Sequence, residues 1–327
     1  MRSSVLATAI VLSGVFAPAS AQEAVRIGTS SVGSTFYILS VGAAELLGRH
    51  AGINATVEPL GGSGPNVFGL GDGTIEMSML NSFTAQAGYM GAPPYSDPTD
   101  ITLLFQGQPT YRFVLVRPGA GISMPEDLHG TTIIGQRRAL PEIGLVMNAV
   151  VEAFDLDPGR INIVETQTTP EALEAISVGS VDGLIMPAGR AEQSVMEAMQ
   201  HGHLEFLPMD AEAAARLLEH LPSAFYSDVI EAGTFPGQTA DVHVVGMNTY
   251  FVAHANLDED TAYRATRAIL ENNEEFSSFH AGGRYYTLEN TVGVPAAIPF
   301  HPGAVRYLRE AGAWTDEMEA RQAEMAR

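Results

Sequence analysis

Four short loops carry residue types suited to holding a small polar ligand: Thr29-Ser-Ser-Val-Gly-Ser-Thr35, Gly61-Gly-Ser-Gly-Pro-Asn66, Leu80-Asn-Ser-Phe-Thr84 and Gly135-Gln-Arg-Arg-Ala139. Each follows a strand-like run and opens a helix-like one. A helix N-terminus presents unpaired N–H groups and a partial positive charge, which suits an anion. Glycines let the backbone come close to a ligand, and Ser, Thr and Asn add hydrogen bonds. Taken singly, Ser and Asn at such places are helix caps; several polar, Gly-containing loops in one cleft make a binding site. Arg137 and Arg138 stand at the start of the fourth helix in a chain poor in cations. Arginine grips a carboxylate through two parallel hydrogen bonds; the competing reading is surface pairing with Glu142 or a neighbouring acid. Arg190, after another strand in Pro187-Ala-Gly-Arg190, is a similar case. Tyr37 either closes over the ligand or packs.

Catalytic signatures are weak. The sequence has no His-Glu-x-x-His pair, no Gly-x-Ser-x-Gly elbow and no phosphate loop with Lys, since every basic residue is Arg. With 0 Cys, thiol nucleophiles, Cys-held zinc and iron–sulfur clusters are excluded. His201 and His203 make a poor metal site, and His301 in Pro299-Phe-His-Pro-Gly303 reads as a structural hydrogen bond in a turn. No enzyme, cofactor or metal is expected.

The elements that position these loops alternate in type. Ala24–Thr29, Ile53–Leu60 and Glu76–Asn81 read as strands, separated by helices over Ser34–His50 and from Pro65 to Gly71. Ile101–Phe105 and Phe113–Val116 are two further strands. From Arg117 the grammar repeats: strands at Thr131–Gly135, Ile161–Glu165 and Val181–Met186 alternate with helices at Leu140–Phe154, Pro170–Val178 and Ala191–Gln200. Val242–His254 is long enough to run between lobes, and Asp258 caps a helix to Phe276. Such alternation predicts parallel sheets covered by helices. The expected fold is α/β with two lobes, residues 22–113 plus 252–327 and residues 114–251, and a ligand cleft between them.

Charge and length bound the class. The chain has 327 residues, 38 acidic against 17 basic, for a net charge of −21. That balance argues against nucleic acid, which needs clustered cations. At about 8 Å of screening in physiological salt, local amides and Arg decide anion binding. Arg2, the apolar run Val5–Phe16 and Ala19-Ser-Ala21 make a secretory signal peptide over residues 1–21. The run is well short of the roughly 20 residues of a spanning helix. The expected mature protein is soluble, periplasmic and monomeric.

Six stretches, in order along the chain, resemble the TAXI-type solute-binding proteins of TRAP (tripartite ATP-independent periplasmic) transporters. They are Ile27-Gly-Thr-Ser with Gly33-Ser-Thr-Phe-Tyr37, Gly61-Gly-Ser63 with Asn66, Gly73-Thr-Ile-Glu-Met-Ser78, Asp127-Leu-His-Gly130, Ala232-Gly-Thr-Phe-Pro-Gly237 and Phe300-His-Pro-Gly-Ala-Val-Arg-Tyr307. The resemblance implies a two-lobe periplasmic-binding fold that takes a small carboxylate or amino-acid-like ligand to ion-gradient-driven permease subunits. It places Thr29, Ser34, Thr35, Tyr37, Ser63, Asn66 and Asn81 in binding loops. Where that family usually has small residues, this chain has Arg137 and Arg138, which points to a cargo with an additional acidic group or a shape that one of them grips. The alternative is a binding protein or sensor for an ABC-type importer or signalling system, with a periplasmic enzyme on the same scaffold as a third reading.

Overall fold

The computed structural model describes residues 24–190, 192–222 and 224–325; the expected signal peptide lies outside them. Among the described residues no helix is long and apolar enough to cross a membrane.

The first half of the chain runs β1 (Ala24–Ser30), α1 (Thr35–Leu46), β2 (Asn54–Gly61), α2 (Ser63–Gly71), β3 (Met77–Asn81), α3 (Ser82–Met90) and β4 (Ile101–Val116). It continues through β5 (Thr132–Gln136), α4 (Pro141–Ala153), β6 (Asn162–Glu165), α5 (Thr169–Ser177), β7 (Gly183–Ala188), α6 (Gln193–Gln200) and β8 (Glu205–Phe206). Then come α7 (Ala211–Glu219), β9 (Tyr226–Ile230), β10 (Val242–His254), α8 (Glu259–Glu271), α9 (Asn273–Phe279), α10 (Leu288–Gly293), α11 (Pro302–Glu310) and α12 (Asp316–Met325).

The strands form one mixed sheet in the order β2-β1-β3-β10-β4-β7-β5-β6 rather than separate parallel sheets. β1 pairs in parallel with β2 and β3, and β5 with β6 and β7. The middle is antiparallel, where β4 and β10 pair along most of their length. β3 is buried at every position, as expected for a strand covered on both faces.

Two bodies flank this middle. One core, in lobe I, is built from residues such as Ile27, Leu39, Met79, Phe105, Val252 and Leu308. Lobe II has two cores, one including Val114, Val146 and Met247, the other including Leu184, Ile230 and Val244. β4 and β10 contribute to all of them, so the lobes are joined by sheet.

Two expected boundaries differ. Ile101–Phe105 and Phe113–Val116 are the ends of a single strand, because the polar stretch between them stays in the ladder. Pro109 has no N–H to give, yet it sits opposite Asn248 next to a register shift between Asn248 and Tyr250, the kind of irregularity where a strand accepts proline. The helix from Asp258 is broken at Asn272. Asp258 caps it, its carboxylate accepting from the Thr261 N–H at 3.0 Å. Asn273 Nδ2 donates instead to the carbonyls of Gly283 and Tyr286, both at 2.8 Å, which turns the chain into α9.

Candidate functional site

The first three Gly/Ser/Asn loops converge on lobe II at the mid-sheet crossing. α1 starts at Thr35, with Ser34 Oγ accepting from the Tyr37 N–H at 3.3 Å. α3 is capped by Asn81, whose Oδ1 accepts from the Thr84 N–H at 2.7 Å. The cap reading is correct for both residues, and it leaves their remaining atoms aimed elsewhere. Asn81 Nδ2 donates to Ser63 Oγ at 3.3 Å and, across the gap, to Glu142 Oε1 at 2.9 Å.

Ser34, Thr35 and Ser63 line a cleft shared with Gln108, Thr110 and Arg112 of β4 and with Thr169, Gly189 and Glu192 of lobe II. The free space is about 40 Å³, room for a few waters, so the lobes stand closed on one another. A larger open groove of about 810 Å³ on lobe II, lined by residues such as Phe154, Arg216 and His243, contains none of the ligand-site residues read from sequence. The small cleft is the candidate site: helix starts and the buried side chains of Arg112 and Glu192 line it, while Arg137 lies outside the lining and reaches it only through its hydrogen bond to Thr169.

The second loop brings backbone against backbone. Gly64 N–H donates to the carbonyl of Ala139 in lobe II at 3.0 Å. Gly62 has φ +156°, and a Cβ there would lie 2.8 Å from the Ala139 carbonyl oxygen. Only glycine lets these two backbones come together.

Four ionisable side chains are buried at the seam. Arg112, 2% exposed, donates through Nη2 to Glu142 and through Nη1 to the Tyr111 carbonyl at 2.8 Å and Thr110 Oγ1 at 3.1 Å. Glu142 is fully buried at the start of α4, where the helix end favours an acid. Arg137, 4% exposed, donates through Nη2 to Ser31 Oγ at 2.9 Å and to the Gly61 carbonyl at 2.8 Å, both in lobe I, and through Nη1 to Thr169 Oγ1 at 3.0 Å. Among the described residues it has no carboxylate within ion-pair distance, and its Nε is buried with no hydrogen-bond partner. Burial pushes its pKa down to about 10; Glu142 opposes that shift and Arg112 adds to it. Glu192, 7% exposed, accepts from Thr35 Oγ1 at 2.5 Å across the cleft. Burial raises its pKa, against the hydrogen bond from Thr35.

The other sequence candidates are placed as follows. Thr29 and Asn66 are fully buried in lobe I, and Thr29 Oγ1 and Asn66 Oδ1 have no protein partner. Tyr37 is half-buried and outside the lining. Arg138 is exposed and contributes its backbone N–H to Glu165 Oε1 at 3.1 Å. Arg190 is held by Asp228 at 2.6 Å and Glu231 at 2.8 Å over the Tyr111 ring. The partner expected for the Arg pair, Glu142 at the surface, is instead buried against Arg112. Sequence reasoning missed Arg112, Glu192, Gln108, Thr110 and Thr169. For Arg112 a signal existed: one Arg between Tyr111 and Phe113 in a strand-like run cannot stay buried unpartnered.

No group of three His, Cys, Asp or Glu able to hold a metal occurs among the described residues. His301 caps α11, its Nδ1 accepting from the Gly303 N–H at 3.1 Å, the structural role read from sequence.

Solved structures share this architecture. A binding-protein component of an ABC phosphonate transporter from Pseudomonas aeruginosa aligns with TM-score 0.57 at 11% identity, over 93% of this chain and 99% of that one. PhnD1 from Prochlorococcus marinus in complex with methylphosphonate gives 0.55 at 8% identity, over 81% and 92%. MatC from Rhodopseudomonas palustris with bound malate gives 0.54 at 14% identity, over 93% and 99%. At such identities the likeness shows the fold alone: a two-lobe periplasmic-binding-protein fold. The sequence itself goes further, since residues 27–312, both lobes and the seam between them, match the NMT1-like family, and the chain belongs to that family.

Proposed function

We propose that this protein is an exported solute-binding component of an importer, which captures a small oxyanion between its lobes and hands it to a membrane complex. The observation that carries this reading is Arg137: a buried cation of lobe II, without a carboxylate, bonded across the seam to Ser31 and Gly61 of lobe I. A buried charge held only by hydroxyls and a carbonyl is under-compensated, and an anion entering beside Thr169 and Ser34 supplies the missing charge. Ser34, Thr35, Ser63 and the start of α1 complete the cradle, with Thr29, Asn66 and Asn81 behind it; Arg138, Arg190 and Tyr37 are left for the outer surface.

The lobes, taken as residues 22–113 with 252–327 and residues 114–251, close about the β4–β10 crossing. Reversing a 1:99 open-to-closed bias takes about 5.5 kcal/mol of differential affinity, within reach of a few charge-assisted contacts made only on closure. The membrane partner we favour is of ABC type. Two of the similar structures named above belong to phosphonate-binding proteins, one of them described as an ABC transporter component, whereas the TRAP permease implied by the sequence resemblance has no counterpart among them. The malate in MatC keeps carboxylates in the class beside phosphonates.

Thermal-shift and calorimetric titration of the purified chain with malate, succinate, methylphosphonate and inorganic phosphate tests the anion reading. Binding of at least one, weakened by Arg137→Ala, is expected; indifference to all four sinks it. Uptake of that anion by cells, blocked by vanadate rather than by a protonophore, is the result expected of an ABC partner.

A further inference from the structure

Two acids of lobe II bond to lobe I, and they are held differently. Glu142 meets Asn81 but stays outside the lining of the cleft, joined to Arg112. Glu192 lines the cleft itself, nearly all of it buried. Its Oε2 accepts from Thr35 Oγ1 at 2.5 Å across the gap, and its Oε1 from Ser194 Oγ at 3.2 Å. Among the described residues no Arg or His touches it.

Thr35 is fixed from behind to make this contact. The Gly282 N–H donates to His280 Nδ1 at 3.0 Å, so His280 carries its proton on Nε2, which faces Thr35 Oγ1 at 3.4 Å. Thr35 accepts from His280 and turns its single proton to the cleft. It is also the first residue of α1, a helix of 12 residues, and a helix start favours an acid. A carboxylate of lobe II thus sits at the hydroxyl and helix start that make up the proposed cradle.

The acid group of a cargo and Glu192 cannot share that place. Thr35 has one proton to give, the free space is about 40 Å³, and like charges repel strongly where water is excluded. Nor is the contact permanent. Withdrawing an acid from a buried arginine strands a charge, whereas Glu192 leaves only hydroxyls behind and returns to water.

We propose that Glu192 is an internal stand-in for the cargo: its carboxylate takes the place at Thr35 that the cargo's acid group takes, and holds the lobes closed until an entering anion displaces it. This rests on the solute-binding reading and adds a latch to it. A chain latched about nine times in ten binds about tenfold more weakly than an unlatched one.

Small-angle scattering of the full chain without added anion reads the latch directly. Wild type and Glu192→Gln, which keeps the acceptor for Thr35, are expected to be compact. Glu192→Ala is expected to be open and to compact only when an anion binds. Calorimetric titration uses malate, succinate, methylphosphonate and inorganic phosphate. Whichever of these the wild type binds, Glu192→Ala is expected to bind about tenfold more tightly. Glu192→Asp keeps the charge but is one methylene too short to reach Thr35, so the same gain is expected of it. A gain in Glu192→Ala without one in Glu192→Asp reduces the effect to charge repulsion and overturns the latch. A wild type that is open without added anion overturns it with no variant needed, as does binding to Glu192→Ala no tighter than to wild type. If none of the four binds any form, the anion reading fails, and the scattering contrast still decides the latch.

Discussion

Arg112 and Arg137 are both buried at the same seam, one from a central strand and one from a loop before a helix. Arg112 has a carboxylate and Glu142 has it in return; three of its contacts lie within β4 or α4. Arg137 has only neutral acceptors, two of them in the opposite lobe. The paired arginine fastens lobe II to the crossing strand, and the unpaired one is stable enough to persist yet free to take a partner. Removing half of a buried pair strands the other charge, whereas removing an unpaired charge relieves its burial.

The sharpest way to break this contrast is Glu142→Ala. It strands Arg112 and is expected to destabilise the ligand-free protein by about 3–5 kcal/mol, read from urea unfolding; a loss no larger than that of a surface acid would erase the distinction. Next comes Arg137→Ala, expected to leave the unfolding midpoint level or higher while weakening binding of the preferred acid by about 2–5 kcal/mol. Arg138→Ala, exposed, should stay within about twofold of wild type. A drop in stability for Arg137→Ala matching that of Glu142→Ala would place the two arginines in one class. Gly62→Ala pushes a methyl against the Ala139 carbonyl and should cost roughly tenfold in affinity, about 1.4 kcal/mol, with scattering profiles of the ligand-bound form shifted toward an open shape.

The smallest effect is in pH. Glu192 is raised by burial in the folded state, so folding favours its protonated form. Its contribution to stability is whole below the ordinary carboxylate range and is lost as pH rises toward the raised value. The melting temperature of Glu192→Gln should therefore exceed that of wild type at neutral pH. The gap should shrink as the pH falls; a gap constant with pH would mean that folding leaves the affinity of this carboxylate for its proton unchanged.

Much of this was legible beforehand because it is local. Strand–helix alternation follows from periodicity, and the loops at strand ends follow from where Gly, Ser and Asn fall. Val242–His254 matches its expected bounds, since β-branched and aromatic residues outweigh Gly246 and Asn248 along it. What escaped depends on neighbours distant in sequence. Pro109 looks like a strand breaker until Asn248 and its register shift are placed opposite it. Glu142 and Glu192 are ordinary acids near helix starts; only the packing of β4 and the reach of Thr35 from 157 residues away give them their burial. Arg137 and Arg138 are adjacent and identical in type, and the direction each side chain takes is decided by the Gly61 carbonyl and Ser31.

A single sheet shared by both halves has a further consequence for how the molecule comes apart. Cutting it between β4 and β10 would expose two long rows of unpaired backbone groups, an invitation to intermolecular pairing. Neither half is therefore a safe unit to produce alone, and calorimetry should show one melting peak. On the solute-binding reading, opening of the cleft is expected to come from bending that sheet at its irregular middle.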